Sequence, residues 1–240
     1  IEEGRVLEPL ADFYKDEVRT LGRVLGLPQE LIWRHPFPGP GLAIRCLCAK
    51  KNEKVVTDSA IDSLAKESGY RAFLLPLRSV GVQGDSRSYA QLTVLHRGPL
   101  DFRSLLPLAT AITNRHQQTN RVVVALGPKR WRPGEWKVHK ATITRKRITI
   151  LQEADRIVTE FLRSNGLYHR VWQCPVVIVP LSRNGGETIA VRPVTSVDGM
   201  TAETAQLPAG KMGELARELM ALSGVEAVLY DLSHKPPSTI

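Results

Sequence analysis

Residues 176–181 read Val176-Val177-Ile178-Val179-Pro180-Leu181, and residues 72–77 read Ala72-Phe73-Leu74-Leu75-Pro76-Leu77. Each is a short apolar run that ends in Pro-Leu, and an apolar run of this length between turn residues predicts a buried strand. The segments around the two runs are also alike. These two stretches therefore decide the fold, because they indicate that one structural unit occurs twice.

The repeated pattern predicts two tandem β-β-α-β units, each preceded by a helix. The first copy is predicted as a helix at 58–68, strands at 72–77 and 89–95 around a turn at Gly84-Asp85, a helix at 101–114 and a strand at 121–126. The second copy is predicted as a helix at 151–164, strands at 176–181 and 188–193 around Asn184-Gly185-Gly186, a helix at 208–222 and a strand at 227–232. Turns between apolar strands favour hairpins. Three strands with helices on one face leave the other face bare, so each copy needs a partner: the other copy, an α/β domain or a second chain.

Residues 34–45 hold three prolines and two glycines. This composition disfavours helix and central strand, and predicts a stiff junction between domains. The preceding residues are typical of the end of an α/β domain. They predict one helix that is capped by Asp12 and ended by Gly26 and Pro28, and a second short helix over 29–33.

The composition is that of a globular chain of 240 residues, 42% of them hydrophobic. It contains no apolar run of about 18 residues, which argues against a membrane-spanning helix. Cys46, Cys48 and Cys174 lack the spacing of zinc ligands, so we interpret them as reduced thiols in a cytoplasmic protein and predict no metal site.

The net charge of +9 is concentrated in residues 129–147, which contain eight Lys or Arg and one Glu. Trp131 and Trp136 are interleaved with these charges, a pattern typical of nucleic-acid surfaces. The alternative, which we favour, is a solvated basic linker or hairpin between two domains.

Three segments carry residues suited to nucleotide binding. Arg87 follows the glycine-containing turn and can offer forked donors to a phosphate, while Asp85 can orient Arg87 or accept from a sugar or base. Lys235 is held by two following prolines and suits a phosphate contact, and the Gln173 amide suits a purine edge. Each segment also has a purely structural interpretation. Asp85 and Arg87 can form an exposed ion pair in an ordinary hairpin, Lys235 can lie in a frayed tail, and Gln173 can cap a loop.

Taken together, these segments resemble the C-terminal part of the GMP synthases, the glutamine-hydrolysing amidotransferases of purine synthesis. The Pro/Gly run at 34–45 and the terminal Lys235-Pro236-Pro237 are the most specific matches. The other matching runs lie at 7–10, 15–19, 25–28, 79–87, 195–201 and 230–234. The resemblance covers the whole chain.

The resemblance implies a ligase that aminates XMP to GMP through an adenylyl-XMP intermediate, with ATP, Mg²⁺ and ammonia from glutamine. It implies that residues 1–45 are the tail of a Rossmann-like ATP-pyrophosphatase domain with a Pro/Gly hinge, within an α/β (α+β) fold. Residues 46–128 and 148–240 are then two dimerisation-type subdomains joined by a basic linker at 129–147, as in the mammalian form. We expect ATPase and glutaminase domains upstream, because the phosphate loop and the glutaminase residues are missing, and either a homodimer or a monomer.

Motif matches imply that XMP is bound by Asp85, Arg87, Gln173, Lys235 and Ile240, and that this segment holds no catalytic residue. Gly39, Gly41 and Arg45 are expected to line the nucleotide cleft. The family tends to place an Arg in the last strand, where this chain has Ala227, while Arg121 holds the equivalent place in the first copy. Arg121 is therefore a candidate for supporting the XMP phosphate.

Two other function classes are consistent with the residues. The first is a nucleic-acid-binding module that uses 129–147. The second is a pure oligomerisation scaffold, with the XMP contacts supplied elsewhere.

Overall fold

A computed structural model describes residues 7–35, 41–83, 86–196, 201–235 and 238. Its contacts divide the chain into a first unit, Ile1–Pro36, and a second unit, Phe37–Ile240. Helices and a mixed sheet together confirm the α+β class.

The α-helices are α1 Lys15–Val24, α2 Gln29–Ile32, α3 Ser59–Glu67, α4 Phe102–Arg115, α5 Arg145–Ser164 and α6 Ala209–Met220. Short 3₁₀ helices occupy Gly41–Arg45, Pro133–Glu135 and Tyr168–Arg170. The strands are β1 Glu53–Lys54, β2 Arg71–Gln83, β3 Ser86–His96, β4 Thr119–Gly127, β5 Lys137–Val138, β6 Val176–Val179, β7 Leu181–Ser182, β8 Glu187–Val191, β9 Val194–Thr195, β10 Glu203–Thr204 and β11 Val225–Asp231.

The first unit is a helical pair. The predicted cap at Asp12 is wrong: α1 begins after Tyr14, whose N–H donates to the Glu17 carboxylate at 2.7 Å. This contact satisfies one of the N–H groups at the start of the helix. The predicted second helix is confirmed as α2, and the Trp33 Nε1–H that follows it donates to Gln29 at 3.0 Å.

The junction at 34–45 is helical at its end, contrary to the prediction. Gly41–Arg45 forms a 3₁₀ helix that opens at Gly41 with φ +70°. The run contains no proline after Pro40, so nothing prevents the last five residues from closing short 3₁₀ turns. Residues 36–40 lie outside the described residues.

The second unit is built on one sheet of six strands in the order β2-β3-β4-β11-β8-β6. We call β2, β3, α4 and β4 the first half, and β6, β8, α6 and β11 the second half. Within each half two strands pair antiparallel and the last strand pairs parallel. The halves join where β4 and β11 pair antiparallel. Each half therefore finds its strand partner in the other half of the same chain.

The two faces of this sheet are covered by different parts of the chain. On the helical face, Val122, Val124, Val228 and Tyr230 pack with buried side chains of all four long helices of the second unit, α3 to α6. We call the opposite side the tryptophan face. Apolar burial on both faces provides the main stabilisation of such a layered sheet.

The tryptophan face is covered by part of the basic stretch, so that stretch is not a solvated linker. Trp131 and Trp136 are 2% and 1% exposed, and they pack in one cluster with Phe73, Val123 and Leu229. The same stretch supplies β5, which pairs with β1 and β7 in a small antiparallel sheet. Its last residues begin α5 at Arg145, six residues earlier than predicted, with the Thr144 hydroxyl accepting from the Arg147 N–H.

Candidate functional site

The structure brings the C-terminal tail against the β2–β3 hairpin. Gly81 pairs with Ser88 inside the hairpin, and Val82 pairs with Arg87. Ser238 forms an isolated antiparallel bridge with the same Gly81. The tail therefore runs beside the end of the hairpin that carries Arg87, which is exposed.

The tail is held at several points before it reaches the hairpin. The Lys235 N–H donates to the Ala202 carbonyl at 2.8 Å, and the Ala202 N–H donates back at 3.2 Å. The Ser238 N–H donates to the His234 carbonyl at 3.1 Å. The His234 ring accepts from the Thr204 N–H at 3.4 Å. Lys235 is half-buried as a result.

Gln173 joins the same strand pair from the other side. The Val194 N–H donates to the Gln173 carbonyl at 2.9 Å, and Val194 pairs with Thr204 across β9 and β10. Gln173 is 7% exposed. Three of the predicted residues, Arg87, Gln173 and Lys235, thus lie on elements that are hydrogen-bonded to one another.

A buried charge network lies where the tail leaves β11. The Asp231 carboxylate accepts from Arg192 Nη1 at 2.6 Å and also from Arg121 Nη1. Arg192 Nη2 donates to the Ser238 hydroxyl at 2.6 Å. The side chains of Arg192 and Asp231 are each 4% exposed. Two guanidinium groups share one carboxylate, so the network has a net positive charge.

The ionisation of this network is set by burial and by its own charges. Burial acts to raise the pKa of Asp231, but Arg192, Arg121 and the Ser233 N–H outweigh it and lower that pKa to about 2. Burial lowers the pKa of Arg192 to about 10, which still leaves it protonated at neutral pH. Arg192 and Asp231 are therefore both charged at neutral pH.

Ser233 ties the start of the tail to β4. Its N–H donates to Asp231 Oδ1 at 2.9 Å, and its hydroxyl accepts from the Val122 N–H at 2.8 Å. Sequence reasoning proposed Arg121 but missed Arg192, Asp231, Ser233 and Ser238. Only the Tyr230-Asp231-Leu232-Ser233 motif pointed toward them, because no local pattern marks Arg192.

Arg45 is directed toward α5. It is 7% exposed, and its Nη1 lies 3.4 Å from Asp155 Oδ1. Burial lowers the pKa of Arg45 and raises that of Asp155. Burial, together with the Asp155 charge, raises the pKa of the neighbouring Cys174 thiol to about 12. The described contacts of Arg45 are thus structural, and its predicted place in a nucleotide cleft stays a prediction.

The remaining predicted residues, Gly39, Asp85 and Ile240, lie outside the described residues, while Gly41 begins the 3₁₀ helix. In the described part of the chain, no three His, Cys, Asp or Glu side chains are grouped so as to hold a metal ion. The three cysteines are free. None of the helices in the described ranges combines the length and apolar character needed to cross a bilayer.

The basic stretch lacks the surface aromatics that the nucleic-acid hypothesis needs, because Trp131 and Trp136 stack on each other in the core with centroids 4.1 Å apart. Arg147 is also buried, and it forms a two-point ion pair with Glu187 at 2.7 and 3.1 Å. Several lysines and arginines of the stretch remain exposed. Charge alone does not provide the stacking that single-stranded nucleic-acid sites use.

Comparison with known proteins shows which proteins the chain is similar to. Residues 160–240 match the model of the GMP synthase C terminal domain. A probable glutamine-hydrolysing GMP synthase of Leptospira interrogans is 39% identical over all of this chain and 40% of its own length. The chain is a homologue of the GMP synthases over its whole length.

Two further relatives are similar over almost all of this chain. The glutamine-hydrolysing GMP synthase of Dictyostelium discoideum is 33% identical over 99% of this chain, and GMP synthase 1 of Bacteroides thetaiotaomicron is 30% identical over 98%. The chain spans about 40% of the first of these and 30% of the second. The tail and the second half of the sheet, with Gln173, Arg192, Asp231 and Lys235, fall inside the GMP synthase domain match.

Proposed function

We propose that this chain is the part of a glutamine-hydrolysing GMP synthase that completes the XMP site. In this reaction ATP activates XMP as an adenylyl intermediate, and ammonia from glutamine then displaces AMP to give GMP. As the resemblance implies, we assign the binding of ATP and Mg²⁺ mainly to upstream domains.

The observation that carries the proposal is the pairing of Ser238 with Gly81, which places the tail beside the hairpin of Arg87. Arg87 and Lys235 supply cations for the XMP phosphate, and Arg can engage a phosphate through two parallel hydrogen bonds. The Gln173 amide can read a purine edge through one donor and one acceptor. Their role is to bind and orient XMP for adenylylation.

The first unit fits the end of an ATP-pyrophosphatase domain. Its apolar residues Val24, Leu25 and Leu31 are 78%, 67% and 61% exposed. Such exposed apolar groups support packing against the rest of that domain. We propose the subdomain limits 46–128 and 148–240 for the two dimerisation-type units. The oligomeric state, homodimer or monomer, stays a prediction, and coverage of both sheet faces within one chain supports the monomer.

We expect Arg87→Ala and Lys235→Ala in the full-length protein to raise the KM for XMP by roughly ten- to hundred-fold each, because each loses a charge-assisted phosphate contact. Steady-state kinetics with varied XMP and saturating ATP measure this. Arg103→Ala is the matched control, because Arg103 is exposed on α4 and no side-chain contact of it is seen in the described structure.

Normal XMP kinetics in both variants would show that these residues do not bind XMP. The oligomerisation scaffold then becomes the better hypothesis. Calorimetry of XMP with an Asp85→Ala, Arg87→Ala double variant separates the XMP-site proposal from the scaffold hypothesis. If this segment is only a scaffold, the double variant binds XMP with unchanged affinity.

A further inference from the structure

The main sheet has an internal two-fold relation that its register defines. Across the central antiparallel pair, Val124 faces Tyr230, Val123 faces Asp231, and Ala125 faces Leu229. A two-fold rotation about the Val124–Tyr230 pair superposes β4 on β11. It places Ala125 at the position of Asp231, so these two residues are equivalent. The two halves can be compared position by position on this basis.

The neighbouring parallel strands agree with this relation. Leu95 of β3 faces Val124, and Val191 of β8 faces Tyr230. The next residue along each strand is His96 in the first half and Arg192 in the second half. These two residues therefore hold equivalent positions.

The same strands fix the position of Arg121. In the first half, Leu92 lies three residues before Leu95 and faces Arg121. In the second half, Thr188 lies three residues before Val191 and faces Ala227. Ala227 is therefore the equivalent of Arg121. One end of the sheet carries Arg121, Arg192 and Asp231, which we call the charged end. The other carries His96, Ala125 and Ala227, which we call the silent end.

The silent end is closed by apolar packing. Phe73 lies between His96 and Trp131, with ring centroids 5.5 and 5.7 Å away. Ala227 is fully buried in the same cluster. His96 is 3% exposed, and burial is the main cause that lowers its pKa to about 4, so it is neutral at pH 7. The three positions equivalent to Arg192, Asp231 and Arg121 thus carry no charge at neutral pH, although Arg71, which pairs with His96 and forms an ion pair with Asp62, lies beside them.

The charged end is closed by the tail. Arg192 donates hydrogen bonds to both Asp231 and Ser238. Arg121, from the first half, forms an ion pair with the same Asp231 carboxylate. The Arg192 Nε is buried and has no hydrogen-bond partner in the described structure. Buried ion pairs can often be replaced by apolar residues without loss of stability. At His96, Ala125 and Ala227 the same sheet has uncharged residues, so the charges at the equivalent positions are best explained by the tail that they hold.

We propose that Arg121, Arg192 and Asp231 form a buried clamp that fixes the tail at the charged end of the sheet, and that binding at the tail depends on this clamp. The clamp consists of positioning residues. It joins both halves of the sheet to the segment that carries Lys235. The identity of the bound molecule, XMP, rests on the proposed function.

The test uses the full-length protein with Ser238→Ala, which removes one Arg192 contact, and Arg121→Met, which removes the ion pair between the first half and Asp231. Hydrogen exchange of a peptide over 232–240 reports on the Lys235 and Ser238 amides. Calorimetry gives the Kd and stoichiometry of XMP. Arg121→Lys tests rescue, and His96→Gln at the silent end is the matched control.

Ser238→Ala and Arg121→Met should each speed exchange of the tail and weaken XMP binding by about tenfold, the effect of losing one charge-assisted hydrogen bond. Arg121→Lys should restore part of both effects, and His96→Gln should leave both unchanged.

Unchanged hydrogen exchange of the tail amides in both Ser238→Ala and Arg121→Met would overturn the clamp. If Arg121→Met does not fold, Ser238→Ala alone tests the clamp, because it changes a buried residue without removing a charge. Faster exchange in a protein that does not bind XMP at all would support the clamp and overturn the proposed function instead.

Discussion

His96 shows how a single buried group links the stability of this protein to pH. Burial, and then the charges of Arg97 and Arg71, lowers its pKa from 6.5 to about 4. Its Nδ1 has no hydrogen-bond partner within the described residues. The folded protein therefore excludes a proton that the unfolded chain binds.

We expect the free energy of unfolding to fall as the pH drops from 6.5 to 4, by roughly 3 kcal/mol in total, because protons favour the unfolded state in that interval. Above pH 6.5 both states hold a neutral His96, and this contribution is constant. Urea unfolding of the 240-residue chain at pH 7, 6 and 5 measures the slope. His96→Gln should flatten it, whereas His169→Gln, at an exposed position, should not. Equal slopes in both variants would contradict the assignment.

At the scale of elements, the turn at Asn184-Gly185-Gly186 depends on a side chain from another strand. The Glu226 carboxylate accepts from the N–H groups of Arg183, Asn184 and Gly186 at 2.9, 2.9 and 2.6 Å. Burial acts to raise the pKa of Glu226, but these hydrogen bonds outweigh it and lower that pKa. Gly185 adopts φ +92°, which favours glycine.

Glu226→Ala should therefore lower the free energy of unfolding by about 1–3 kcal/mol, because three turn N–H groups lose a charged acceptor. Chemical denaturation at pH 7 measures it. The control is Glu218→Ala on α6, where the carboxylate is exposed. If the two variants lose the same stability, Glu226 does not hold the turn.

At the scale of the whole molecule, the second unit is a sheet buried on both faces by its own chain. The helices cover one face, and Trp131 and Trp136 cover the other. Both indole N–H groups lack a hydrogen-bond partner in the described structure. The tryptophans therefore stabilise the fold by apolar burial and stacking.

Trp131→Ala should cost about 3–5 kcal/mol of unfolding free energy, because it opens a cavity under the sheet. Trp131→Phe should cost much less, since it keeps most of the apolar volume and removes an unpartnered donor. Thermal and urea unfolding compare the two variants. Lys137→Ala, an exposed change in the same stretch, should have little effect. A loss from Trp131→Ala no larger than that from Lys137→Ala would place the indole outside the core.

The sequence by itself determined most helices and strands of the second unit and the approximate position of the turn at Asn184-Gly185-Gly186. The apolar runs at 72–77 and 176–181, and the turn at Asn184-Gly185-Gly186, depend on neighbours within a few residues. The resemblance to the GMP synthases also rested on short runs of residues, chiefly 34–45 and Lys235-Pro236-Pro237. Relatives that match over the whole chain confirm this resemblance.

Only the tertiary structure decided how these elements combine. It joined β4 to β11, buried Trp131 and Trp136 under the sheet, and brought Arg121 and Arg192 onto Asp231. Arg121 and Asp231 are 110 residues apart in the chain. Periodicity and turn chemistry are local, whereas strand pairing and buried charge depend on which distant residues meet, and no local pattern records that choice.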